Sequence, residues 1–158
     1  MPTLVENRKA RFNYEILQTF EAGIILEGVE VKAVRGGHIS LDGAHITLLP
    51  KLLSIKKNSS RLILTGTTIT PLQPQNTPDS FVATKPRQLL VKEKELLLFE
   101  KELKTKGTTL IPLSVYTKRG LIKVEIALVR GKKKFDKRES LKKKDAKREI
   151  DRAMKGER

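Results

Sequence analysis

The chain has no cysteine and no tryptophan, and its 158 residues include only two histidines, two tyrosines and five phenylalanines. Without cysteine it forms no disulfides and offers no thiolate ligands, which is typical of proteins from a reducing compartment. No segment approaches the roughly 20 consecutive apolar residues that a membrane span needs. The start of the chain also lacks the charged and apolar pattern of an export signal. We therefore expect a soluble cytoplasmic protein with no membrane association.

Groups suited to catalysis are scarce as well. His38 and His45 flank the start of a predicted strand without other clustered ligands, which favours surface or turn roles over metal binding. Residues 35–38 (RGGH) lack the spacing and the Lys-Ser/Thr pair of a nucleotide-phosphate loop. The sequence therefore predicts no enzyme, no catalytic residue, no cofactor and no metal. A metal-dependent nuclease or an RNA-modifying protein is the enzymatic alternative.

Positive charge is abundant and concentrated at the end of the chain. The net charge is +15, and residues 130–158 hold 14 Lys or Arg against 6 Asp or Glu, a surplus of 8. Such a segment repels itself unless a polyanion neutralises it, so nucleic acid is the expected partner. We predict a folded unit over residues 1–130 and a basic tail over 131–158. The tail is expected to be disordered when free and helical when bound.

Alternation and turn residues predict a strand-rich body. A basic segment at 7–11 precedes a first strand whose apolar face is expected to carry Phe12, Tyr14, Ile16 and Phe20, with Glu21 on the opposite face. A short helix at 28–35 should end at the glycines that follow it, and two apolar stretches at 44–56 and 61–70 indicate a hairpin. The four prolines of residues 71–86 indicate a loop.

The second half adds a strand at 88–91, a helix at 92–106 that ends before Gly107, and two strands at 108–117 and 121–129. In the last strand, alternation places Ile122, Val124, Ile126 and Leu128 on one face, and Lys123 on the other. The count is about six strands with two short helices. This pattern predicts a mainly β fold, either a barrel or a sandwich.

The basic surface favours RNA that is recognised through shape and phosphates. The aromatic residues lie mostly at core-like positions, so few stacking platforms for single strands remain. A solvated basic surface on an unrelated domain is the alternative. Basic patches recur, however, at residues 7–11, at 85–87 and in the tail, which favours RNA binding.

Six segments together resemble the SmpB family, which partners transfer-messenger RNA (tmRNA) in ribosome rescue. They are residues 7–11 with Tyr14, 20–23, 28–32 with Arg35, 86–87 with 89–90, 107–113, and 131–133 with 136–138. The resemblance implies a closed antiparallel OB-like barrel with two short peripheral helices, acting as a monomer. Its body would bind the tRNA-like domain of tmRNA, and its tail would occupy the decoding centre and the empty mRNA channel of the small ribosomal subunit. A ribosomal or assembly factor with a basic tail is the non-enzymatic alternative.

The family's RNA-binding face maps by motif onto Asn7, Glu21, Leu90 and Lys123, and the basic motif residues Arg8, Lys9, Arg11, Lys32 and Arg87 are expected to join it. The ribosome-binding tail maps onto Gly131, Lys132, Lys133, Phe135, Asp136, Lys137 and Arg138. From the residues alone, Asn7 could equally act as a cap or simply be exposed, Glu21 could be solvated and Leu90 could be core. Phe135 could stack on RNA or pack back onto the barrel.

The sequence departs from the family pattern at three places. Gln88 and Phe135 replace a common Lys and a common His or Tyr, respectively, and the hairpin over 51–61 is longer than usual.

Overall fold

The computed structural model describes residues 2–50 and 60–156, and within these ranges the chain forms nine strands and four α-helices. The first half contains β1 (Thr3–Glu6), α1 (Arg8–Asn13), β2 (Tyr14–Ile24), α2 (Gly28–Arg35), β3 (Ile39–Ser40), β4 (His45–Leu49), β5 (Arg61–Thr65) and β6 (Thr68–Ile69). The second half contains β7 (Arg87–Leu90), α3 (Glu93–Glu102), β8 (Thr108–Lys118), β9 (Leu121–Gly131) and α4 (Lys134–Gly156).

Six of these strands form a closed antiparallel ring. The order is β8-β4-β5-β7-β2-β9, and β9 pairs again with β8 to close it. This confirms the predicted barrel and excludes the sandwich. β1 pairs with β8 outside the ring, whereas β3 and β6 form a separate two-stranded sheet. The two predicted peripheral helices are α2 and α3.

The barrel interior is filled by apolar side chains from every strand of the ring. The aromatic rings of Phe20 on β2 and Phe99 on α3 meet edge to face, with their centroids 4.7 Å apart, so α3 is anchored to the barrel. The predicted inward row of β9 is confirmed, since Val124, Ile126 and Leu128 belong to this core and Ile122 packs against it. Lys123 is therefore held on the outer face.

A β-bulge corrects the predicted face of β2. The pairing of β2 with β9 shifts between Ile16 and Gln18, so one extra residue enters the strand and the alternation reverses. Phe20 consequently packs in the barrel core, while Tyr14 and Ile16 pack against a second, outer cluster. The members of this outer cluster are Ala10, Ile111, Leu113, Ala127 and Val129.

The start of the first predicted strand is also corrected. Residues 8–13 form the helix α1 rather than a lead-in and the first strand residues, and β1, which was not predicted, precedes it. α1 is stable because its start is capped and because Ala10 is buried in the outer cluster. Helix α3 ends at Glu102 instead of 106, and turns lead from it to Gly107, whose φ is +86°.

Most other boundaries follow the sequence. Helix α2 ends at Arg35 with Gly36 as its C-cap, and Gly37 then adopts a φ of +80°, as expected of a helix stopped by a left-handed glycine. β4 and β5 pair as the predicted hairpin, although the predicted long connection between them falls at 51–59, outside the described residues. Residues 71–86 are loop with one 3-10 turn, Pro74–Asn76.

The tail forms helix α4 over Lys134–Gly156, whereas its disorder in the free protein and its ordering on binding stay predictions. In the described part of the chain, no helix is both long and apolar enough to cross a membrane.

Candidate nucleic-acid interface

The outer faces of β2, β9 and β8 together form a polar surface on one side of the barrel. Pairing places Gly23 next to Lys123, and Lys123 next to Tyr116. Two residues further along each strand, Glu21 lies next to Glu125, and Glu125 lies next to Ser114. Since alternate residues of a strand share a face, these side chains point to the same side. We call this surface the outer polar face.

Glu21 is the centre of a hydrogen-bond network that spans three strands. Its Oε2 atom accepts hydrogen bonds from the Tyr116 hydroxyl at 2.7 Å and from Lys118 Nζ at 2.9 Å. Lys123 Nζ lies 4.0 Å from the other carboxylate oxygen, Oε1. The Glu21 side chain is 38% exposed, so it remains accessible to a ligand.

This network shifts the protonation of both partners. The hydrogen bonds from Tyr116 and Lys118 lower the pKa of Glu21, and the charges of Lys118 and Lys123 add to the effect, against a smaller opposing contribution from burial. Burial, followed by the hydrogen bond and charge of Glu21, raises the pKa of Tyr116. Glu21 is therefore a carboxylate and Tyr116 a neutral phenol near neutral pH.

A shallow cavity of about 450 Å³ opens beside this network. Glu125 contributes a second carboxylate, which accepts a hydrogen bond from Ser114 Oγ at 3.0 Å and lies 3.9 Å from the Arg11 guanidinium. The cavity is lined by Thr3, Thr19, Phe20, Glu21, Ser114, Tyr116 and Glu125. Hydroxyls and carboxylates thus give this part of a basic protein a local preference for hydrogen-bond donors.

Leu90 lies on the outside of the barrel, next to this face. Its side chain is 52% exposed, whereas its neighbour Leu89 is buried in the core. Leu90 pairs with Gly23, and a Cβ added at Gly23 would lie 3.4 Å from the Leu90 Cβ. Gly23 therefore leaves room for Leu90, which brings an apolar side chain into the same row as Lys123.

Helix α1 carries a second basic surface. The side chains of Arg8, Lys9 and Arg11 are exposed, and the only ion pairs among them in the described ranges join Lys9 to Asp42 at 3.5 Å and Arg11 to Glu125 at 3.9 Å. Such exposed pairs are weak, so a phosphate can replace the carboxylates. Lys32 is likewise exposed, on α2.

Asn7 is buried and its side chain is fully used within the protein. Its Oδ1 accepts a hydrogen bond from Ala10 N at 3.2 Å, which caps α1, and its Nδ2 donates to Pro112 O at 3.0 Å. The structure thus favours the capping role for Asn7. Any contribution of Asn7 to RNA binding is expected to pass through the position of α1.

Arg87 is also buried and is bonded on every side of its guanidinium. Nε donates to Glu30 Oε1 at 2.9 Å, and both side chains are only 1% exposed. The remaining donors bind Thr67 and the Ala83 carbonyl. The structure therefore separates Arg87 from the exposed cations and gives it a role in holding α2, β7 and the loop before it together.

The tail starts beside α1. Gly131 ends β9, Lys132 N donates to Asn13 O at 3.1 Å, and Lys132 Nζ donates to Arg11 O at 3.3 Å. Lys133 and Arg138 are exposed and Lys137 is half-buried. The side chains of Phe135 and Asp136 lie outside the described residues. The first tail residues thus lie beside α1, whose Arg11 also reaches Glu125 on the outer polar face.

Sequence reasoning missed Tyr116 and Lys118. The sequence pattern that could have identified them lies in β8, after the register shift of this strand between Pro112 and Ser114. There Ser114, Tyr116 and Lys118 alternate with Val115 and Thr117. In the described ranges, no group of three or more His, Asp or Glu residues is placed to hold a metal ion.

Comparisons with known proteins identify the family of this chain. A family model described as SmpB protein matches residues 4–156. The SsrA-binding protein of Leuconostoc mesenteroides is 41% identical over 152 residues, covering 96% of this chain and 92% of the relative. The SsrA-binding protein of Chlorobaculum tepidum is 43% identical over 149 residues, covering 94% and 88%.

A solved structure described as "tmRNA-SmpB: a journey to the center of the bacterial ribosome" has a similar fold. Its TM-score is 0.63 at 34% identity, and the match covers 87% of this chain and 93% of that one. The family match over nearly the whole chain and the shared fold lead to one conclusion: the chain belongs to the SmpB family.

Proposed function

We propose that this chain is a non-enzymatic RNA-binding adaptor, which binds the tRNA-like domain of tmRNA and delivers it to stalled ribosomes in the cytoplasm for trans-translation. The names of its relatives, SsrA-binding proteins, and the tmRNA–SmpB structure of similar fold support this role. Its partners are tmRNA and the small ribosomal subunit. It acts as a monomer without a cofactor.

The observation that carries the proposal is that β9 joins two different surfaces. Lys123 lies near the start of this strand on the outer polar face. Gly131 ends the strand, shortly before the basic helix α4 begins at Lys134. At roughly 3.3 Å per residue, one strand holds the two about 26 Å apart. A rigid spacing of this kind suits an adaptor that holds one RNA with its body and reaches a second site with its tail.

Each member of the RNA face has a chemical role in this proposal. Lys123 neutralises a phosphate, and the exposed cations of α1 and Lys32 extend this contact along the RNA backbone. The Glu21 carboxylate accepts a hydrogen bond from a base or sugar. Leu90 packs against the apolar side of a sugar or base. Asn7 and Arg87 act indirectly, by fixing α1 and β7.

The tail is proposed to enter the decoding centre and the empty mRNA channel through Gly131, Lys132, Lys133, Phe135, Asp136, Lys137 and Arg138. Phe135 would stack there on a ribosomal RNA base. Alanine at Phe135 should then cost about 1–3 kcal/mol in ribosome engagement, whereas tyrosine should retain most activity. Single-turnover peptidyl transfer on ribosomes with an empty A site compares the two. Equal rates would refute stacking, and a lower Tm for Phe135→Ala would support packing on the barrel.

The adaptor role is tested with the full chain and three RNAs of equal length: the tRNA-like domain, a ribosomal RNA helix and an unstructured RNA. We expect tight binding to the first only, with log Kd rising by about 0.7–0.9 per log salt for each phosphate neutralised. Equal affinity for the ribosomal helix would favour an assembly factor instead. The full chain should also support peptide tagging on stalled ribosomes in a reconstituted system.

A further inference from the structure

The position of Glu21 is unusual for an RNA-binding face, because a carboxylate repels phosphates. In this structure the carboxylate is held by two donors from one strand, Tyr116 and Lys118, which reach across β9 to bind the same oxygen. We infer that Tyr116 and Lys118 are positioning residues, which fix Glu21 so that its second oxygen accepts a hydrogen bond from an RNA donor. This inference rests on the proposed function and adds two residues to it.

The two donors leave one side of the carboxylate available. Both bind Oε2, at 2.7 and 2.9 Å, while Lys123 lies 4.0 Å from Oε1, too far for a hydrogen bond. Among the described residues, Oε1 therefore has a nearby charge but no donor, and Glu21 lines the cavity of about 450 Å³. A base N–H or a ribose 2′-hydroxyl that enters this cavity supplies the missing donor.

A plain surface salt bridge does not account for this arrangement. An ion pair of Glu21 with Lys118 alone would be mobile and weak, because both side chains are more than a third exposed. The Tyr116 phenol adds a rigid donor with few rotamers, carried by a strand of the barrel ring. Preorganised acceptors of this kind raise affinity because no side chain has to be ordered on binding.

Hydrogen bonds from Tyr116 and Lys118, together with the nearby lysine charges, keep Glu21 ionised. Tyr116 and Lys118 face it from β8, and Lys123 and Glu125 face it from β9. Glu125, directly opposite, repels Glu21, but Ser114 and Arg11 engage Glu125 on its other side. Since the hydrogen bond from Tyr116 is the largest cause of the lowered pKa of Glu21, removing that hydroxyl raises this pKa. The ionised acceptor is then lost at a higher pH.

A double-mutant cycle on the full chain tests the inference, with the tRNA-like domain as the probe. Tyr116→Phe is expected to weaken binding about two- to fivefold, as for a partly exposed polar contact, without changing the salt slope. In a Glu21→Ala background, Tyr116→Phe should have no further effect. Lys118→Arg should retain affinity better than Lys118→Met. Arg119→Met, which removes a charge from the adjacent turn, is the control for general electrostatics.

The pH dependence of RNA affinity gives a second readout, which would not change if Tyr116 had a purely structural role. The ratio of wild-type affinity to Glu21→Ala affinity should fall at acid pH, because Glu21 becomes protonated. The ratio of Tyr116→Phe affinity to the affinity of the double variant should fall in the same way, but starting at a higher pH. Interference mapping with 2′-deoxy and with inosine-substituted RNA identifies the donor. If a 2′-deoxy substitution weakens binding to the wild type but not to Glu21→Ala, the donor is a ribose hydroxyl. If an inosine substitution behaves in this way, the donor is a guanine amino group.

The outcomes separate this inference from the proposed function. If the wild type binds the tRNA-like domain but the effects of Tyr116→Phe and Glu21→Ala are additive, Tyr116 does not act through Glu21 and the inference is wrong. It is also wrong if neither variant changes affinity, or if Lys118→Met only lowers the salt slope as Arg119→Met does. A wild-type protein that does not prefer the tRNA-like domain overturns the proposed function as well.

Discussion

Replacing Arg87 by methionine tests whether this residue supports the fold or binds RNA. The side chain forms an ion pair with Glu30 in which both partners are 1% exposed, and Thr67 and Ala83 accept its remaining hydrogen bonds. Methionine fills a similar volume but leaves the Glu30 charge buried. Among the described residues, only Lys85 is placed to compensate, with its Nζ 3.7 Å from Glu30 Oε1.

The expected cost is large compared with the stability of the domain. Removing one partner of a buried ion pair costs roughly 3–5 kcal/mol, out of a total free energy of unfolding of about 5–15 kcal/mol. For a domain of this size, that corresponds to a Tm lower by roughly 10–20 °C. Lys85→Met is the matched control, because Lys85 is partly exposed and its loss should cost no more than about 1 kcal/mol.

Urea unfolding and RNA binding, measured on the same samples below the midpoint, separate the two roles. Glu30→Gln should recover part of the stability lost in Arg87→Met, because it removes the unpaired charge while its amide oxygen can still accept the hydrogen bond that Glu30 receives from Glu27 N. The folded fraction of Arg87→Met should bind RNA with an unchanged salt slope. Full stability combined with a slope lower by about one would refute this reasoning and make Arg87 a phosphate contact.

Arg87 also illustrates what the sequence could not predict. Arg87 and Lys123 both lie in strands with apolar neighbours, and both are expected cations of an RNA face. Only the structure brings Glu30, 57 residues earlier in the chain, next to Arg87. For Lys123, the alternation of β9 was sufficient, because the apolar row on one face leaves only the other face for the charge.

The difference between local patterns and long-range contacts also explains which parts of the fold were predicted wrongly. Most strands, the hairpins and α2 follow from local patterns, namely alternation and turn residues, whereas the choice of a barrel over a sandwich came from the family resemblance. Besides its local cap, the helix α1 is held by the hydrogen bond from Asn7 to Pro112, 105 residues away, and by burial of Ala10 in the outer cluster, and no local pattern shows these two contacts. The bulge in β2 left only a weak signal, the two adjacent apolar residues Ile16 and Leu17, of which Leu17 is 44% exposed.

Three further predictions concern the RNA face, the cap and the tail. Lys123→Ala should weaken tmRNA binding and lower the salt slope by about one, with unchanged urea unfolding; an unchanged slope would remove Lys123 from the phosphate contacts. Asn7→Ala should destabilise the protein by about 1–2 kcal/mol, measured by urea unfolding, because α1 loses its cap; full stability would contradict the capping role. Truncation after Arg130 should keep tmRNA affinity and abolish peptide tagging, since the outer polar face lies entirely before this residue and the tail motif entirely after it. Native amide exchange should show protection in β9 and little in α4 of the free protein, because the described side chains of α4 are nearly all exposed and its contacts with the rest of the protein are mainly with α1. Tagging by the truncated protein would show that the tail is not needed on the ribosome, and strong protection of α4 would show that it is ordered before it binds.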